Sequence, residues 1–298
     1  MIGKDHVITL NNGVTMPALG LGTYQSTQER TAEAVEAAIA GGYRLIDTAA
    51  VYFNERQVGE GIARSGVARS ELFVTTKLWI SDFGYESALR AFDASLRRLG
   101  LDYVDLYLLH WPTPRHFDAT IASYKAAERL LADGRIRAIG VSNFGSKHLQ
   151  DLLERSEVVP SVNQVELNPF FTQAEIRAVD ASYGVVTQSW SPIGGVNRDT
   201  DPNMAKDPLH HPVIVNLAAK CGKTPAQITI RWHLDHGLSP IPKSTRPERI
   251  AENFDVFDFA LTPEDCAAID TLNTGTRCGP DPESFDTTTV RVRVDNDA

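Results

Sequence analysis

Asp47, Tyr52, Lys77 and His110 are the residues whose types could do chemistry together. Asp47 closes the apolar run YRLID (43–47), Lys77 closes LFVTTK (72–77), and His110 closes VDLYLLH (104–110). Tyr52 follows shortly after Asp47. A lysine beside a carboxylate stays charged. A cation within about 4–6 Å of a tyrosine favours the phenolate and lowers its pKa from about 10. A tyrosine tuned in this way can give a proton to a carbonyl oxygen near neutral pH. A neighbouring histidine can hydrogen-bond the same oxygen and orient it. The group suits carbonyl reduction, in which a hydride reaches carbon and a proton reaches oxygen. Singly, each residue has a plainer reading. Asp47 before Thr48 could be a helix N-cap. Tyr52 could be packing, Lys77 a solvated strand end or half of a structural salt bridge, and His110 a satisfied strand-end histidine. Only joint placement favours chemistry.

That placement depends on the surrounding elements. The strand candidates are ALGLG (18–22), YRLID (43–47), LFVTTK (72–77), VDLYLLH (104–110), IRAIGVS (136–142), SVNQVE (161–166), GVVTQSW (184–190) and LSPIPK (238–243). Helix-like segments fall near 31–40, 54–65, 84–99, 118–133, 146–155, 173–182 and 225–236. Gly41-Gly42, Gly100 and Gly134 sit where helix C-caps belong. Short strands alternating with helices predict parallel βα units, which right-handed crossovers close into a (β/α)8 TIM barrel. An open doubly wound sheet is the competing fold. VITL–NNG–VTMPAL predicts an N-terminal β-hairpin turning at Asn12-Gly13. Residues 191–211 form a long polar loop after strand seven. VRVRV (290–294) reads as a strand or a frayed end. A barrel does its chemistry at the C-terminal ends of its strands. Asp47, Lys77, His110, Ser142-Asn143, Gln164, Glu166, Trp190 and Lys243-Ser244-Thr245 all fall towards that end.

The 298 residues, with no low-complexity block or Pro/Ser-rich linker, read as a single domain over 1–298. The net charge of −9 argues against a general nucleic-acid binder or a peripheral membrane protein, though not against a local phosphate pocket. No apolar run approaches the roughly 18 residues needed to span a bilayer. MIGKDHVITL lacks the apolar core of a signal peptide. Cys221, Cys266 and Cys278 make no CxxC pair, so a reduced, cytoplasmic setting is expected. No HExxH, Cys/His cluster or G-x-S-x-G elbow is present, so no metal is expected. Gly20-Leu21-Gly22 and Gly59-Glu60-Gly61 fail to complete a Rossmann fingerprint, and no Tyr is followed four positions later by Lys.

The chain resembles the aldo-keto reductases, NADPH-dependent (β/α)8 oxidoreductases, from about residue 6 to 286. The resembling segments are GYRLIDTAAVYFNE (42–55), VTTKLW (74–79), DLYLLHWP (105–112), GVSNF (140–144), NQVELNP (163–169), SWSPIGG (189–195) and IPKSTRPERIAEN (241–253). RCGPDPESFD (277–286) and the short loop after Trp111-Pro112 look most like the bacterial diketogluconate reductase branch. The resemblance implies Tyr52 as general acid, Lys77 paired with Asp47 to lower its pKa, and His110 to position the carbonyl oxygen. It implies that Ser142, Asn143 and Gln164 hydrogen-bond a nicotinamide carboxamide and that Trp190 stacks on the ring. Many members carry tyrosine in place of Trp190, so a phenol's hydrogen bond is lost here. Ser191, Pro192 and Ile193 continue the cofactor segment, and the loop 191–211 would fold over the pyrophosphate as a belt.

By the same resemblance, Lys243, Ser244, Thr245 and Arg249 would hold a 2′-phosphate, with Arg246 assisting and Asn253 meeting the adenine. A basic, hydroxyl-rich turn opening a helix suits a phosphate dianion, so NADPH is expected over NADH. Tyr24, Trp79 and Trp111 are expected to line the substrate pocket. The expected partner is a small-molecule carbonyl compound, and the expected state is a monomer. The alternative is an NADPH-binding regulatory or structural protein of the same fold without turnover.

Overall fold

The computed structural model describes residues 2–194 and 207–296. A two-stranded hairpin, β1 (Val7–Thr9) and β2 (Thr15–Pro17), turns at Gly13, which takes a positive φ of 83°. Eight strands then form one parallel sheet: β3 (Gly20–Gly22), β4 (Leu45–Asp47), β5 (Phe73–Leu78), β6 (Val104–Leu109), β7 (Ile136–Ser142), β8 (Val162–Glu166), β9 (Val186–Trp190) and β10 (Ser239–Pro240). They pair in chain order from β3 to β10. The sheet closes on itself where Gly22 bridges Lys243 and Gly22 N–H donates to the Pro242 carbonyl. A Cβ at Gly22 would lie 2.7 Å from the Ile241 carbonyl oxygen, so the seam needs glycine there. The barrel was the expected fold, and the open sheet is excluded.

Four connecting helices follow the first strands: α1 (Gln28–Ala40), α2 (Glu55–Arg64), α3 (Tyr85–Leu99) and α4 (Phe117–Ala132). Then come α5 (Ser146–Leu153), α6 (Ala174–Ser182), α7 (Pro212–Cys221), α8 (Pro225–Asp235), α9 (Pro247–Phe254) and α10 (Pro263–Asp270). The apolar stripes of the helices pack on the outward side chains of the strands, giving a core that includes Val35, Ile39, Val58, Phe92, Tyr107, Tyr124 and Ile139. Leu10 and Met16 of the hairpin region pack with Leu45, Phe73, Leu106, Leu108 and Val162, so the hairpin plugs one end. The opposite end is left for the loops that follow the strands.

Two differences from expectation have local causes. LSPIPK supplies only a two-residue strand because Pro240 and Pro242 have no N–H for a ladder. Helices α7 and α10 were not expected. Each opens on proline, and α10 carries a Thr262–Asp265 capping box, a signal available in the sequence. VRVRV forms no strand.

Candidate active site

The strand register places the catalytic candidates on one rim. Gly22, Asp47 and Thr75 are consecutive partners across β3, β4 and β5, and Lys77 pairs with Leu108 two residues before His110. Lys77 Nζ donates to Asp47 Oδ1 at 2.5 Å, to the Thr48 carbonyl at 2.9 Å and to Tyr52 Oη at 3.3 Å. The His110 ring lies 5.6 Å from the Tyr52 ring, near edge-on. Every described non-glycine residue with positive φ sits in a segment that follows a barrel strand: Gln25, Phe53, Thr113, Asn143, Gln173 and Ser191. Such conformations cost of order 1–3 kcal/mol each and gather where a loop must present side chains.

Burial pulls both Asp47 and Lys77 towards their neutral forms, and their mutual attraction opposes it. The hydrogen bonds favour the charged pair. Three acceptors surround Nζ, one for each ammonium proton, and both Asp47 oxygens accept, Oδ2 from Gln164 Nε2 at 2.7 Å. The expectation that Lys77 would lower the Tyr52 pKa is corrected. Burial raises it well above the ordinary value, and the negative Asp47 pushes the same way. Tyr52 therefore rests as a protonated phenol. Its oxygen accepts from Lys77, which leaves its own hydrogen to be given elsewhere. Burial, reinforced by the Lys77 charge, holds His110 well below the usual imidazole range and keeps it neutral. Among the described residues its Nδ1 is buried without a hydrogen-bond partner, so Nε2 is the nitrogen that could meet a ligand.

Gln164 spends both amide protons, on Asp47 Oδ2 and on Gln188 Oε1, each at 2.7 Å. Among the described residues nothing donates to its Oε1, which fits the amide N–H of a carboxamide. Ser142 donates to the Gln164 carbonyl, and Asn143 Nδ2 donates to the His110 carbonyl and to Ser142 Oγ, so these two are already engaged. Trp190 recovers a hydrogen bond where loss was expected: its indole N–H donates to Asn143 Oδ1 at 2.9 Å. Behind it, Glu166 accepts from the backbone N–H groups of Cys278 and Gly279. A Cβ at Gly279 would come within 2.5 Å of the Trp190 ring. Glu166 thus clamps a distant segment against the ring. Sequence spacing gives no sign of this, because the partners are 112 and 113 residues apart.

Ser191 turns the chain with a φ of 47°, and Ile193 packs against the core. The belt expected over 191–211 lies largely outside the described residues. His233 Nε2 meets the Pro192 carbonyl at 3.0 Å, and burial pulls its pKa down to about 3. An unfolded histidine takes up a proton near 6.5, whereas the folded one resists. Stability should therefore fall as pH drops from about 6.5 towards 3, by up to about 1.4 kcal/mol per pH unit from this group. Urea midpoints of the wild type and His233→Gln across that window check this, and the slope should be shallower in the variant.

At the seam, Lys243 and Arg249 are exposed, Thr245 is half-buried, and Ser244 and Asn253 are buried. Among the described residues, Lys243, Arg246 and Arg249 form no ion pair. Ser244 Oγ accepts from Arg246 N–H at 3.2 Å, which shapes the turn into α9. Cations at a helix start suit an anion. The bridge from Gly22 to Lys243 puts this turn on the same rim as Asp47.

Aromatic rings wall this candidate group. Tyr24 lies 5.0 Å from Tyr52, Trp79 lies 5.1 Å from His110, and Trp111 stacks on Phe285 at 3.9 Å. Tyr24 is half exposed, whereas Trp79 and Trp111 are buried. A cavity of about 570 Å³ between the hairpin and the start of β5 touches none of these residues. The site is located by converging charges and rings, not by that hollow.

A model of the Aldo/keto reductase family matches residues 18–274. The chain is 57% identical over 290 residues to morphine 6-dehydrogenase of Pseudomonas putida, spanning 96% of this chain and 98% of that protein. It is 48% identical over 283 residues to glyoxal reductase of Bacillus subtilis strain 168, spanning 95% and 98%. It is similar to the crystal structure of a Bombyx mori aldo-keto reductase in complex with NADP. There the TM-score is 0.87 and the identity 39%, over 94% of this chain and 97% of that one.

Proposed function

The chain belongs to the aldo/keto reductase family, and on that premise we propose that it reduces aldehydes and ketones to alcohols, with Tyr52 giving the proton. NADPH supplies the hydride when bound. Lys243, Ser244, Thr245 and Arg249 would hold its 2′-phosphate, Asn253 its adenine, Gln164 its carboxamide and Trp190 its ring. The observation that carries the reading is the Lys77 ammonium, shared between Asp47, Thr48 and Tyr52 beside a neutral His110.

The steps follow from those contacts. A substrate oxygen sits between Tyr52 Oη and His110 Nε2. Hydride addition to the carbonyl carbon makes that oxygen basic. The phenol gives up its hydrogen, and the nascent phenolate forms 3.3 Å from Lys77 Nζ. The cation thus acts on the transition state more than on the resting tyrosine, which is where stabilisation raises rate. In the reverse direction the same phenolate takes a proton from an alcohol. A protein that only bound the dinucleotide would gain nothing from burying this charged pair under a tyrosine.

The test is loss of NADPH absorbance with a panel of aldehydes, ketosugars and dicarbonyls, repeated with NADH. Turnover on at least one carbonyl compound is expected, with NADPH preferred. Arg249→Ala should lower that preference about tenfold or more, since one charge-assisted contact to a phosphate is worth roughly 1.5–3 kcal/mol. Cofactor binding without turnover on any compound would favour the binding-protein alternative.

A further inference from the structure

We propose that the backbone of residues 290–296 occupies the indole N–H of Trp79 and thereby steers the site towards neutral carbonyl compounds and away from carboxylate-bearing ones. The inference rests on the carbonyl-reductase reading above. Trp79 is 5% exposed and stands edge-on to both His110, at 5.1 Å, and Phe285, at 5.9 Å. Its indole nitrogen is a donor only, and it sits one ring away from the group that would orient the substrate oxygen. A carbonyl compound with a second, anionic acceptor would find its partner there. In this chain the Val292 carbonyl takes that hydrogen at 2.9 Å. It is free to do so because VRVRV joins no strand ladder.

The segment is fastened at both ends. Phe285 stacks on Trp111, and Asp286 Oδ2 lies 3.4 Å from Arg115 Nη1. Val290 and Val294 pack against the cluster of Trp79, Ile80, Trp111 and Phe285. Further on, Asn296 Nδ2 donates to Asp82 Oδ1 at 2.8 Å, and Arg97 donates to the Asn296 carbonyl at 3.0 Å. Val290 and Val294 turn inwards, whereas Arg291, Val292 and Arg293 are exposed.

Residues 290–298 carry Arg291 and Arg293 against Asp295 and Asp297, so removing them changes no net charge. Simple electrostatics therefore predicts little change in the use of an anionic substrate. Freeing the Trp79 donor should raise it. A chain ending at Thr289 and the full chain are compared for kcat/KM on benzaldehyde and para-carboxybenzaldehyde with NADPH. The ratio of acid to neutral aldehyde is expected to rise about tenfold or more on truncation, as one hydrogen bond to a charged group allows. Adding Trp79→Phe to the truncated chain should abolish the rise. Should truncation prevent folding, Val294→Asp in the full chain loosens the same contact while adding a negative charge, and a smaller rise is expected. A ratio that stays level or falls in the folded variants overturns the proposal. So does a rise that survives Trp79→Phe. If the full chain fails to reduce benzaldehyde or any other carbonyl compound, the reductase reading itself is overturned, and that outcome is separately visible.

Discussion

Tyr52→Phe should slow NADPH-dependent carbonyl reduction by about 10²–10⁴-fold while leaving dinucleotide binding near wild type. The ring and its packing against Tyr24 and His110 remain, so only the acidic hydrogen is removed. The loss should fall on kcat more than on KM, because the phenol acts as charge develops on the substrate oxygen. Steady-state kinetics with one good aldehyde, together with a fluorescence titration of NADPH, checks this. Wild-type turnover in a folded variant would remove Tyr52 from the mechanism.

Lys77→Met should cost both stability and rate, and the two can be separated. The side chains of Lys77 and Asp47 are 0% and 2% exposed, so deleting the ammonium leaves a carboxylate with no counter-charge in the barrel. Breaking a buried pair in this way costs about 3–5 kcal/mol. Asp47→Asn added to Lys77→Met removes the orphaned charge and should restore much of that stability. Rate should not return, because nothing then stabilises the phenolate as it forms. Urea unfolding and kcat, measured on both variants, check the pair. A double variant recovering activity along with stability would mean that Lys77 serves folding alone.

Behind both predictions stands Tyr52, whose pKa shift has a sign that local residue patterns could not give. Residue types and proximity suggested that a cation next to a phenol would make it acidic. The fold buries the phenol and faces it with Asp47 and Tyr24 as well, and burial dominates. The proposed proton-donor role survives the change of sign, since a donor must begin protonated. Trp190 shows the same limit. Its type could be read, whereas its partner Asn143, 47 residues away, could not.

Much of the architecture is written locally. Runs of Val, Ile and Leu buried on both faces specify strands, and glycines such as Gly100, with a φ of 66°, stop helices. A parallel barrel puts the ends of its strands on one rim, so Asp47, Lys77 and His110 are brought together by strand order alone. Contacts between distant segments carry no such local mark. The hold of Glu166 on Cys278 and Gly279, and of Val292 on Trp79, depend on loop paths closed over 112, 113 and 213 residues. Periodicity and turn chemistry fix the backbone within a few residues. Which buried group faces which charge, and how far water is excluded from it, is settled only when the whole barrel packs.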